Sequence, residues 1–110
     1  MNNTKIYGPS DITPSTPIHP GEILRDELMA RGISQRKFAL LIDASYSVIN
    51  EIINGKRPIT TEVALKIEAA TSTNAQSWVN MQSAYNMHIA RQDSRLSAIL
   101  EQIRKSAAVF

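Results

Sequence analysis

ISQRKFALLIDASYSVINEIINGKR, residues 33–57, is the stretch whose reading decides the fold. It holds two short helical patterns separated by a tight turn. Ser34 offers the side-chain oxygen an N-cap needs, and Phe38, Ala39, Leu41 and Ile42 follow at helical spacing. Asp43 and Ala44 interrupt the pattern, the aspartate being a residue that favours turns. Ser45 then caps a second helix whose apolar face is Val48, Ile49, Ile52 and Ile53. Asn54 and Gly55 end it, since both residues tolerate the left-handed conformation that closes many helices. Two helices of about two turns each, joined by three or four residues, have the dimensions of a helix-turn-helix.

With Val48, Ile49 and Ile52 facing inward, the outward positions at the start of the second helix are Tyr46, Ser47 and Asn50. These are hydrogen-bonding side chains on a helix end that fits a major groove. Gln35, Arg36 and Lys37 open the first helix, and Lys56 and Arg57 follow the second. Four cations in this stretch (Arg36, Lys37, Lys56, Arg57) stand against Asp43 and Glu51, a surplus equal to the net charge of +2 for the whole chain. The basic charge is therefore concentrated beside the reading helix, where phosphate contacts are made. Paired amphipathic helices also occur in helical proteins that never meet DNA, so the pattern alone leaves both readings open.

The 110 residues suffice for one domain with tails, and 43% hydrophobic with 20% charged residues is ordinary for a globular chain. A charge of +2 is too small to argue for nucleic acid by itself; its placement carries that inference. No cysteine is present, which excludes disulfides and thiolate metal sites. No apolar run approaches the ~18 residues of a membrane span, and MNNTKIYGPS lacks the apolar segment of a signal peptide. A cytoplasmic protein with no membrane contact is expected.

Residues 1–17 carry Pro9, Pro14 and Pro17 and few apolar groups, so a flexible N-terminal arm is expected, with Ile6, Tyr7 and Ile12 available as anchors for a partner. A helix should begin near His19, Pro20 and Gly21, with Pro20 at its first position, His19 capping or packing locally, and Gly32 as its stop. After the helix-turn-helix, Thr60 caps a helix from Thr61 to about Thr71, registered by Ala64, Leu65, Ile67 and Glu68, with Val63, Ile67 and Ala70 completing its stripe. Asn74 caps a longer one to about Asp93, on which Trp78, Met81, Tyr85 and Ile89 form one apolar stripe, read as core. Leu96, Ile99, Leu100 and Ile103 repeat the pattern in a last helix, whose stripe suits packing on the domain or, preferably, on a partner chain. No phosphate loop, metal-spaced histidine set or nucleophile motif appears, so no catalytic residue, metal or cofactor is assigned and an enzyme is not expected.

Three blocks then carry a resemblance: HPGEIL, NGKRPIT with ALKI after it, and the spacing of Trp78, Met81, Gln82 and Tyr85. Over residues 18–90 the chain resembles the HigA-type antitoxins, within the larger lambda-repressor-like (Xre) helix-turn-helix family. The resemblance implies a five-helix DNA-binding domain, a homodimer, and double-stranded operator DNA, palindromic and in the protein's own promoter. It also implies a HigB-like toxin, a small RelE-like ribonuclease, held inactive as partner. By the same resemblance, the glutamine matching Gln35 touches the phosphate backbone, the positions matching Ser45, Tyr46, Ser47 and Asn50 face the operator, and the pair matching Lys56 and Arg57 lies near phosphate. Three departures stand out: Asp43 where the turn usually has glycine, Tyr46 at a commonly basic position, and Ser72 where glycine is usual between the fourth and fifth helices.

The expected fold is all-α. It comprises a flexible arm at residues 1–17, a five-helix lambda-repressor-like helix-turn-helix domain at 18–92, and a C-terminal helix at 93–110 for dimerisation or partner contact. The expected function is an antitoxin and autorepressor. Its rivals are a stand-alone helix-turn-helix regulator without a toxin and a protein-interaction module.

Overall fold

The structure, a computed structural model, describes residues 16–110. All but the last two residues of the expected arm, with Ile6, Tyr7 and Ile12, lie outside that range. The described residues form six helices and no strand: α1 (Pro20–Arg31), α2 (Gln35–Leu41), α3 (Tyr46–Ile53), α4 (Thr61–Thr71), α5 (Ala75–Gln92) and α6 (Ser94–Ala107).

The expected caps close these helices. Ser34 Oγ accepts from Lys37 N at 3.1 Å, Ser45 Oγ from Val48 N at 3.1 Å, Thr60 Oγ1 from Val63 N at 3.2 Å and Asn74 Oδ1 from Ser77 N at 2.9 Å. Each bond satisfies one of the N–H groups that a helix start leaves without an internal partner. Asp93 does the same for α6 through Leu96 N at 3.1 Å, a cap that the sequence reading passed over as the end of α5.

At seven and eight residues, α2 and α3 are too short to persist alone, so packing holds them. Phe38, Ile49 and Ile52 are fully buried, joined by Leu24 and Leu28 of α1, Ile67 of α4 and Trp78 of α5. Each such side chain contributes about 1.5–3 kcal/mol by leaving water. α1 crosses α3 at very close range. A side-chain carbon placed on Gly21 would lie 1.8 Å from the Ile52 carbonyl oxygen, so only glycine permits this crossing.

Polar groups complete the core. Gln82, 5% exposed, accepts the Ile59 N–H through Oε1 at 2.8 Å and donates through Nε2 to Asn86 at 2.9 Å. The Trp78 indole donates to Thr73 Oγ1 at 2.7 Å, and Glu68 accepts from Ala75 N at 2.8 Å, tying the start of α5 to α4. Arg31 donates to the Thr71 carbonyl at 2.9 Å, so its role reaches beyond the end of its own helix.

Several sequence expectations are corrected by the packing. Of the apolar pattern of α2, Phe38, Ala39 and Ile42 are buried as expected, whereas Leu41 is 61% exposed at the end of the helix. Leu65 faces outward while Ala64 and Ile67 are buried, and Ile89 is half exposed because α5 runs past the end of the core. Asn54 stays at φ −88°; Gly55 alone, at +74°, takes the left-handed conformation that closes α3. Both positions that depart from glycine take the left-handed conformation. Asp43 and Ser72 sit at φ +55° and +63°, a conformation costing roughly 1–2 kcal/mol for most residues. Lys66 Nζ donates to the Asp43 carbonyl at 3.0 Å while pairing with Glu62 at 3.3 Å, which steadies the turn between α2 and α3.

Candidate nucleic-acid interface

The Ser45 cap sets the rotation of α3, and that rotation divides the helix cleanly. Ile49, Ile52 and Ile53 go into the core, while Ser45, Tyr46 and Ser47 are exposed and Asn50 is half-buried beside them. The outward polar residues form a connected set. Asn50 Nδ2 donates to Gln35 Oε1 on α2 at 3.0 Å and lies 3.4 Å from the Tyr46 hydroxyl. Asn54 Nδ2 donates to the Asn50 carbonyl at 2.9 Å and to its side-chain oxygen at 3.2 Å. Gln35 therefore braces the outer face of α3 from the neighbouring helix. Ordering these side chains in advance lowers the entropy that a ligand has to remove on binding.

The cations divide into two groups. The Arg36 guanidinium lies 4.3 Å from the centre of the Tyr46 ring, a cation–π contact worth about 0.5–1 kcal/mol at an exposed site. Lys37 is exposed on the same first turn of α2. At the other end of α3, Gly55 reverses the chain, Lys56 N donates to the Glu51 carbonyl at 2.8 Å, and Lys56 and Arg57 emerge exposed. Arg57 binds Glu51 there, through Nε at 2.8 Å and Nη2 at 2.7 Å to the same carboxylate oxygen. That exposed pair contributes at most about 1 kcal/mol. Among the described residues neither Lys37 nor Lys56 has an ion pair.

Of the nine residues expected from the sequence, Gln35, Arg36 and Lys37 open α2, Ser45, Tyr46, Ser47 and Asn50 cap or lie on the first half of α3, and Lys56 and Arg57 follow its end. Gln35, Arg36, Tyr46 and Asn50 are linked by contact, whereas Ser45 and Ser47 stand apart and Arg57 is joined to Glu51. The sequence placed Asn54 at the end of the helix and Glu51 as a counter-charge, but not their contacts with Asn50 and Arg57. Asn54 follows Asn50 by four residues, the spacing at which helical side chains meet, so that contact was available to a closer reading. Glu51 meets Arg57 only because the chain reverses at Gly55, and no spacing rule reveals that. Among the described residues no cluster of His, Asp or Glu suits a metal ion, and no helix is long and apolar enough to cross a membrane.

The helix-turn-helix family model (HTH_3) matches residues 24–77. Virulence-associated protein I of Dichelobacter nodosus is 46% identical over 79 residues, covering 71% of this chain and 73% of the relative. Among solved structures, the Pseudomonas aeruginosa antitoxin HigA with higBA promoter is similar with a TM-score of 0.67 at 39% identity, over 79% of this chain and 90% of that one. An addiction module antidote protein of the HigA family from Coxiella burnetii matches with a TM-score of 0.67 at 33% identity, over 82% and 94% of the two chains.

Proposed function

The chain belongs to the Xre-type helix-turn-helix family of DNA-binding, HigA-like antitoxins and transcription regulators, and from that premise we propose an antitoxin and autorepressor. It neutralises a small RelE-like, HigB-like ribonuclease toxin and represses its own operon from a palindromic operator. The observation that carries the DNA part is the ordered polar face of α3, with Asn50 braced by Gln35 and flanked by exposed cations. The similarity to an antitoxin solved with its promoter supports the same reading.

In this proposal residues 18–92, with five helices, are the DNA-binding unit of a cytoplasmic protein, and either the arm at 1–17 or the C-terminal helix at 93–110, which also suits dimerisation, contacts the toxin. Two copies place their α3 helices in successive major grooves about 34 Å apart. Arg36, Lys37, Lys56 and Arg57 supply the phosphate contacts, with Gln35 and Ser45 at the backbone edge. Tyr46, Ser47 and Asn50 meet base edges. Arg57 first exchanges Glu51 for phosphate, which lowers its net contribution below that of an unpaired cation.

Co-purification with the product of the neighbouring open reading frame, followed by a promoter-DNA shift, tests the whole. A stoichiometric complex that shifts its own promoter is expected; DNA binding with no protein partner removes the antitoxin part and leaves a stand-alone regulator. Within the interface, Asn50→Ala should cost about 1–3 kcal/mol on the operator and relax base preference, whereas Arg57→Ala weakens all sequences alike. Equal losses on operator and random DNA for Asn50→Ala would remove the readout role.

A further inference from the structure

His19 lies away from the polar face of α3, yet it touches each element that frames the turn carrying Lys56 and Arg57. Its side chain belongs to a residue only 6% exposed. Nδ1 accepts the Gly21 N–H at 2.9 Å, and the ring meets Tyr85 of α5 edge to face, with centroids 4.8 Å apart and planes at 79°. A side-chain carbon at Gly55 would lie 3.9 Å from the ring Cγ, and Ile53, Asn54 and Gly55 line one cleft with the ring. Gly21, which it caps, is the residue pressed against the Ile52 carbonyl. The imidazole therefore stands between the first turn of α1, the end of α3, the turn after it, and α5.

We infer that His19 is a positioning residue that holds Gly55, Lys56 and Arg57 against α1 and α5, and so sets where these two cations meet the DNA backbone. Its consequence for DNA rests on the DNA-binding reading above. The chemistry is specific to the neutral ring. An Nδ1 that accepts from Gly21 carries no proton; protonation would set two N–H donors against each other and dissolve the cap. The groups facing the ring are Glu22 and Arg25 of α1, which line the same cleft, Tyr85 of α5, and the Arg57 backbone. Burial holds the imidazole below its ordinary value of 6.5, outweighing the opposing pull of the Glu22 carboxylate and of the Arg57 backbone. Acidification thus has two opposed effects on DNA binding. A new positive charge strengthens phosphate attraction, and a released turn weakens it. A loss of affinity on acidification reads position rather than charge.

The test is an amide NMR titration of the full-length free protein from about pH 7.5 to 5, paired with promoter affinity over the same range. His19→Asn, whose side-chain oxygen caps without titrating, is the comparison. The amides of Gly55, Lys56 and Arg57 should move with the His19 midpoint in the wild type and hold still in His19→Asn. Affinity should fall roughly tenfold through that midpoint, and less in the variant. Melting curves at each pH confine the comparison to folded protein, and the wild-type titration decides the matter alone if His19→Asn fails to fold. Amides of this turn that ignore the His19 midpoint overturn the positioning role. Amides that move while affinity holds or rises overturn its link to DNA. No promoter binding at any pH defeats the DNA-binding reading itself, and the amide titration still decides whether His19 positions the turn.

Discussion

Helix α3 is eight residues long and buries three of them; α6 is fourteen residues long and buries none. Both carry isoleucines at helical spacing, and both are closed at the start by a capping side chain. In α3 the apolar stripe meets α1 and α2 across the centre of the core. In α6, Leu96 and Leu100 are half-buried against the molecule, while Ile99 and Ile103 are 41% and 54% exposed. They border an open groove of about 340 Å³ that ends at Phe110. Amphipathic spacing therefore makes a face, and only the placement of other elements covers it. In α3 that burial fixes the rotation of the helix and leaves the opposite face polar.

The sharpest way to break this contrast is at the seam that seats α3. Gly21→Ala should cost about 4 kcal/mol or more in chemical denaturation, because its new carbon meets backbone rather than a movable side chain. A variant of near wild-type stability would mean that α1 and α3 can separate without loss. Next, Ile52→Ala should cost about 3 kcal/mol, whereas Ile103→Ala on α6 should stay within about 0.5 kcal/mol in dilute protein. If the two costs match, or if the Ile103→Ala cost grows with protein concentration, the α6 face is covered in solution and the contrast belongs to the isolated chain alone.

Acid should probe the same seam more gently. His19 is held below its ordinary pKa of 6.5, chiefly by burial, so the folded state favours the neutral ring. Its stabilising contribution is complete above about pH 6.5 and is lost as pH falls through the lower folded-state value, where the unfolded chain binds the extra proton first. The melting temperature should therefore decline below pH 6.5, with a smaller decline in His19→Asn. The smallest effect belongs to the α4–α5 junction. Ser72→Gly should raise stability by up to about 1 kcal/mol by relieving the left-handed strain, net of the entropy that glycine adds to the unfolded chain. A neutral or harmful substitution there would show that Ser72 earns its place through a contact other than its backbone.

The blocks that carried the family resemblance become intelligible in physical terms. In HPGEIL, His19 caps, Pro20 starts the helix, Gly21 admits the α3 backbone and Leu24 fills the core. In the spacing of Trp78, Met81, Gln82 and Tyr85, the indole seals α4 to α5, Gln82 takes up the Ile59 N–H, and Tyr85 packs on His19. Of these roles only the burial of Leu24 follows from periodicity, which marked Tyr85 as core and said nothing of Gln82. The candidate interface was legible as a set of residues and illegible as a set of contacts. Gln35 and Asn50 are 15 residues apart and meet only because the turn at Asp43 folds α2 onto α3.

By itself the sequence determined the helices and most of their starts, since Ser34, Ser45, Thr60 and Asn74 act on N–H groups three residues ahead. Capping and apolar spacing are local, so they need no knowledge of the rest of the chain. Tertiary structure decided which faces are covered, why position 21 must be glycine, that Arg57 is held by Glu51, and that Leu41 and Ile89 face water. Those outcomes depend on chain reversals and on how closely helices distant in sequence approach, and neither is written in the residues they affect.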